Sequence, residues 1–129
     1  MDRATAMPRR ATRGKLLWGG VLGGGFAWAG QLVVGYGIEE IACSSGSAGS
    51  DIFGISVPTL IYVLSAAAAA ATIAAMAVCM LAIRAARGSS NYRDERIVFM
   101  GITGLAANLL FLAIIGFVAI APVYLGSCR

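Results

Sequence analysis

The chain has no histidine. That removes the usual protein ligand of haem and copper and the commonest proton shuttle near neutral pH. Its three cysteines are scattered, whereas zinc and iron–sulfur sites need clustered ligands. No metal site and no resident cofactor are therefore expected. Charge is scarce as well, at 12% of residues, and it is absent from Leu16 to Ile38, from Ile52 to Ile83 and from Ile97 to Cys128. Ion-coupled transporters, proton relays and voltage sensors normally need an ionisable group inside such runs, and a four-helix multidrug exporter with a buried acid is excluded both by the missing acid and by the number of runs. The ten basic residues give a net charge of +4, yet they flank the apolar runs without interleaved aromatics. A nucleic-acid platform needs both, and none is expected. The glycines of GGVLGGG are not followed by Lys-Ser or Lys-Thr, as a phosphate loop would require. We expect no catalytic residue.

What is present is apolar surface. Hydrophobic residues make up 59% of the 129, and the mean hydropathy is +0.82. A soluble domain of this length cannot hide that much. Each charge-free run exceeds the roughly 20 residues a helix needs to cross hydrocarbon. The runs are apolar all round, which suits helices and not the alternation of a membrane barrel. The fold class expected is all-α integral membrane, one domain of three helices over about 15–40, 57–87 and 94–122. Ser56 and Pro58 suit the start of the second helix and Gly88 its end. Asp94 is a capping type, with Glu95 in the first turn, and Pro122 should kink or end the third helix. MDRATAMPRRATRGK, LLWGGVLGGG and Ala27-Trp28-Ala29 together mimic a cleavable signal peptide. The apolar run continues through GQLVVGYGI to full spanning length, so an uncleaved helix is expected.

Basic residues alternate between the connections. Arg3, Arg9, Arg10, Arg13 and Lys15 precede the first helix, and Arg84, Arg87, Arg93 and Arg96 lie between the second and third. The first connection has no basic residue and carries Glu39, Glu40 and Asp51. By the positive-inside rule the N-terminus and second connection are cytoplasmic, and the first connection and C-terminus external. Cys43 and Cys128 then share the external face, an oxidising compartment in a bacterium. Each follows the outer end of a helix, and the two helices run parallel. A Cys43–Cys128 disulfide is expected, worth about 3–5 kcal/mol in chain-entropy models. Catalytic dithiols are usually C-x-x-C beside a positive charge, and this pair is not. Cys79 reads as a small buried hydrophobe.

Inside the spans, Gly19 with Gly23 and Gly20 with Gly24 form small-xxx-small pairs. Gly101 and Gly104 do similar work in the third helix, and Ala66–Ala71 is a smooth face in the second. These faces serve either internal packing or docking onto a larger membrane protein. Gln31 and Asn108 are the strongest intramembrane polar groups, each expected to bond another helix. Trp18, Tyr36, Tyr92 and Tyr124 suit the interfacial aromatic belt. The basic N-terminal segment is sufficiently explained as a topology signal, and it also suits contact with anionic lipid.

FAWAGQLVVGYGIEEIAC places Trp28, Tyr36 and Cys43 at W-x7-Y-x6-C spacing, and PVYLGSC closes the chain with Pro122 and Cys128. Across about the whole chain this resembles a loosely defined family of small three-helix bacterial membrane proteins associated with haem–copper cytochrome c oxidases. Members often carry a histidine three residues after the tryptophan, where this chain has Gln31. The resemblance implies a non-catalytic accessory subunit of a respiratory oxidase or its supercomplex in the bacterial cytoplasmic membrane. Its implied partners are the larger membrane subunits, lipid and an external cytochrome. Cys43 and Cys128 carry over as the external pair, with Trp28 and Tyr36 as packing residues of the first helix. Two other classes fit the sequence: a self-assembling holin or small channel, and a membrane thiol oxidoreductase using Cys43 and Cys128.

Overall fold

A computed structural model describes residues 3–44, 51–52, 54–88 and 92–124, with side chains from Gly14 onward apart from those of Asp51 and Pro122. In chain order these form helix α1 (Arg3–Ser44), strands β1 (Asp51–Ile52) and β2 (Ile55–Ser56), helix α2 (Val57–Ala86) and helix α3 (Tyr92–Tyr124). All three helices are long and apolar enough to cross a membrane, over Gly14–Ser44, Val57–Ala86 and Tyr92–Ala121. With 42 residues, α1 is roughly 63 Å long at about 1.5 Å per residue. That exceeds the ~40–45 Å of a whole bilayer.

The helix limits differ from the sequence expectation in ways that have local causes. The basic segment expected as a tail continues α1 back to Arg3. At its other end α1 runs one turn past Glu40, because Ala42 is buried against Val57 and Ile61 of α2. Burial of Ala42 carries the helix past the two glutamates, which stay exposed. Ser56 does occupy the N-cap of α2, with proline in the first turn, but its side chain makes no capping bond. Its hydroxyl is instead 2.7 Å from Thr59 Oγ1. Gly88 does not act as a left-handed cap. Arg87 caps α2 in a right-handed conformation, its N–H donating to Ile83 O at 3.1 Å. The positive-φ glycine among the described residues is Gly54. α3 begins two residues before Asp94, so Asp94 and Glu95 both lie in its first turn, where carboxylates complement the helix dipole. The helix passes Pro122 and ends at Tyr124. Ala27-Trp28-Ala29 lies within the continuous α1.

Each helix packs on both others. The buried residues of α2 are Val57, Ile61, Ser65, Ala68, Thr72, Ala75, Cys79, Ile83 and Ala86. Their steps of three and four trace one stripe of a helix that is apolar on every side. Leu17, Gly20, Gly24, Gln31 and Ala42 do the same in α1, and Gly101, Gly104, Asn108 and Ile115 in α3. Within the Ala66–Ala71 run only Ala68 is buried, so the run offers the bundle a single line of contact.

The connection between α1 and α2 contains a short antiparallel ribbon that the sequence did not announce. Asp51 pairs with Ser56 and Ile52 with Ile55, and Gly54 takes φ +79° in the turn. That left-handed value suits glycine. Ile52 and Ile38 pack on the Ala42, Val57, Ile61 cluster, which closes this end of the α1–α2 pair.

Candidate functional site: a polar seam inside the bundle

Four polar side chains are buried within the spans: Gln31 of α1, Ser65 and Thr72 of α2, and Asn108 of α3. In an apolar surround each must find a partner or pay its full desolvation cost. Asn108 is fully buried and uses both ends of its carboxamide on α1. Its Nδ2 donates to Gly20 O at 2.6 Å, and its Oδ1 accepts from the Gly24 N–H at 2.7 Å. These are the two backbone groups that an α-helix pairs with each other. The side chain reaches them because Gly20 and Gly24 present no Cβ. A methyl group on Gly24 would collide with Asn108 and stand 3.2 Å from Thr72 Cγ2.

The other glycines explain how three helices come so close. A Cβ on Gly20 would lie 3.1 Å from Val78 Cγ1 and 3.2 Å from Cys79 Sγ, and one on Gly23 would lie 2.7 Å from Ala75 Cβ. On α3, a Cβ at Gly101 would meet Ile83 Cγ1 at 2.6 Å. At Gly104 it would stand 2.9 Å from Cys79 Sγ and 3.1 Å from Val21 Cα. The thiol of Cys79 thus sits buried where all three helices meet, as a space-filling group. Gly19 is the exception among the six glycines expected to pack: it is exposed, with nothing within 4 Å of a Cβ built there. Gly30 and Gly37 are likewise open. The five inward glycines are occupied by the chain's own helices and are not available to a partner.

Further along α1, Gln31 Nε2 donates to Ser65 Oγ at 2.8 Å. Trp28 packs its ring against Phe111 of α3, with centroids 5.6 Å apart and a tilt of 36°. Tyr36, implied by the family resemblance to be a packing residue, points away from the bundle and is 69% exposed. Trp18, Tyr92 and Tyr124 are also exposed, as an aromatic belt requires. Thr72 returns its hydroxyl to Ala68 O at 2.8 Å within its own helix.

Ser65, Thr72 and Phe111 belong to the seam but were not singled out from the sequence. The signal for the first two was present, since they are the hydroxyls nearest the middle of the second run and stand seven residues, two turns, apart. Phe111 carried no signal, because apolar residues surround it on every side of the helix.

Cys43 is disulfide-bonded, and Cys79 is free and buried. Cys128 lies outside the described residues, as do residues 45–50 of the first connection. Among the described residues no three His, Cys, Asp or Glu side chains gather as a metal site would require. Comparison with protein-family models, with curated proteins and with solved structures found no match to this chain.

Proposed function

We propose that this protein is a non-catalytic accessory subunit of a bacterial respiratory membrane complex, a cytochrome c oxidase or its supercomplex, and that it acts by stabilising the assembly. The observation that carries the reading is how the interior is used. Asn108, Gln31, Cys79 and the inward glycines spend it on helix-to-helix contact, which leaves the outer surfaces as the working part. Docking therefore falls to the outward faces and not to the small-residue faces that the sequence suggested. Large apolar side chains stand exposed along all three helices, among them Phe26 and Val33 of α1, Leu81 of α2, and Phe99 and Phe117 of α3. Lipid or a larger membrane subunit would cover them. In this reading the membrane is the bacterial cytoplasmic membrane, the N-terminus is cytoplasmic, and Cys43 pairs with Cys128 on the external side. That bridge would fix the external connection, where an external cytochrome or a neighbouring subunit could make contact. The disulfide is then structural, and no thiol exchange is required of it.

One specific observation favours self-assembly as a second reading. Gly19, Gly30 and Gly37 are open on the outer surface of α1, where glycine lowers helix stability and fills no internal contact. Purification from native membranes in mild detergent, through a tag on the N-terminus, separates the two. A reduced-minus-oxidised spectrum with haem bands in fixed ratio to the chain is expected for an oxidase partner. A colourless homo-oligomer would reject the accessory-subunit reading in favour of self-assembly.

A further inference from the structure

Among the described residues, two buried side-chain atoms have no hydrogen-bond partner: Trp28 Nε1, a donor, and Gln31 Oε1, an acceptor. They belong to one helix and stand three residues apart, a spacing that sets their Cβ atoms about 5–6 Å apart on successive turns. Trp28 leans on Phe111 of α3, while Gln31 is tied to Ser65 of α2. The two side chains therefore flank the line where the three helices meet. Gln31 is only 3% exposed, and both orphaned atoms are sealed from outside. Turning the carboxamide over does not help. Ser65 would then donate to Oε1, and the amide N–H groups would lose their partner instead. Asn108 makes the contrast, because the same functional group in the same bundle is satisfied at both ends.

An oxygen bearing a proton meets both needs at once, accepting from the indole and donating to the carboxamide. We propose that Trp28 Nε1 and Gln31 Oε1 hold a buried water molecule between them. One oxygen can bond a donor and an acceptor that each stand about 2.9 Å from it. The Ser65 hydroxyl, bonded to the same carboxamide, offers a third partner, and two to four is the usual number for internal water. Depth argues against a lipid headgroup, since Gln31 lies near the middle of the Gly14–Ser44 span. The inference does not depend on the respiratory reading.

The test uses two labels. Gln31 is the only glutamine in the chain, and Trp18→Phe, a change at an exposed position, leaves Trp28 as the only tryptophan. The full chain carrying 15N-indole and 13Cδ-glutamine labels is placed in lipid bilayers. Magnetisation transfer from water is then followed by solid-state NMR. Transfer to both Trp28 Hε1 and Gln31 Cδ from one water resonance, exchanging far more slowly than bulk, is the expected result. Transfer to neither group, or to one alone, overturns the proposal.

Discussion

Asn108 of α3 accepts a hydrogen bond of 2.7 Å from the backbone N–H of Gly24 on α1, in the middle of a helix where that N–H ordinarily serves its own chain. The same carboxamide donates to Gly20 O, so one side chain ties two helices through backbone groups that no rotamer change can withdraw. Asn108→Leu keeps the volume and removes both bonds, while Gly20 and Gly24 can still pair with each other. A loss of about 1–2 kcal/mol is expected, read from denaturing-detergent titration of the purified protein. Asn108→Ala should cost more, because it adds a cavity. A leucine variant as stable as the parent would show that the bond contributes nothing.

Gly104 and Gly19 should respond oppositely to the same added methyl group. At Gly104 it meets Cys79 Sγ and the backbone of Val21, so Gly104→Ala should destabilise by about 1–3 kcal/mol. At Gly19 it meets open space, and Gly19→Ala should be neutral or stabilise by up to about 1 kcal/mol through helix propensity. The same titration compares them. Equal effects would mean that the close approach of α1, α2 and α3 at Cys79 is wrong.

Cysteine chemistry should divide sharply. Denatured without reductant, the chain should take up one alkylating group, at Cys79, and after reduction it should take up three. Intact mass counts them directly. Folded in detergent and unreduced, it should take up none, because Cys79 is buried beneath Gly20 and Gly104. Cys43→Ser should lower stability by about 3–5 kcal/mol if the partner is Cys128. Three alkylated thiols before reduction would leave no bridge.

Gln31 and Ser65 should be energetically coupled. A double-mutant cycle with Gln31→Leu and Ser65→Ala is expected to return about 1 kcal/mol. Additive single effects would reduce the 2.8 Å bond to a geometric coincidence.

The positive-inside pattern fixes an expected orientation. Reporter fusions active only in the cytoplasm should work after Gly88 and fail after Tyr124. The reverse pattern would place Cys43 in a reducing compartment and undo the disulfide argument.

Three helices, each long and apolar enough to cross a membrane, and the approximate limits of the second and third were determined by the sequence alone. Each charge-free run is longer, as a helix, than the roughly 30 Å hydrocarbon core, and a helix satisfies its backbone hydrogen bonds within the segment. That Gln31 and Asn108 would seek other helices was also legible, because a polar group in an apolar run has few alternatives. The faces were decided only in three dimensions. A run apolar on every side carries no moment to say which stripe turns inward, so nothing separated Gly20 from Gly19, or Ala68 from Ala67, before the helices met. The partners were decided there too. Asn108 bonds the backbone of α1, and no side-chain pattern records a carbonyl left bare by the absence of a Cβ at Gly20 and Gly24. The extra turn of α1 at Ala42 has the same origin. Contact with Val57 and Ile61 set its end, against the glutamates that marked a boundary in the sequence.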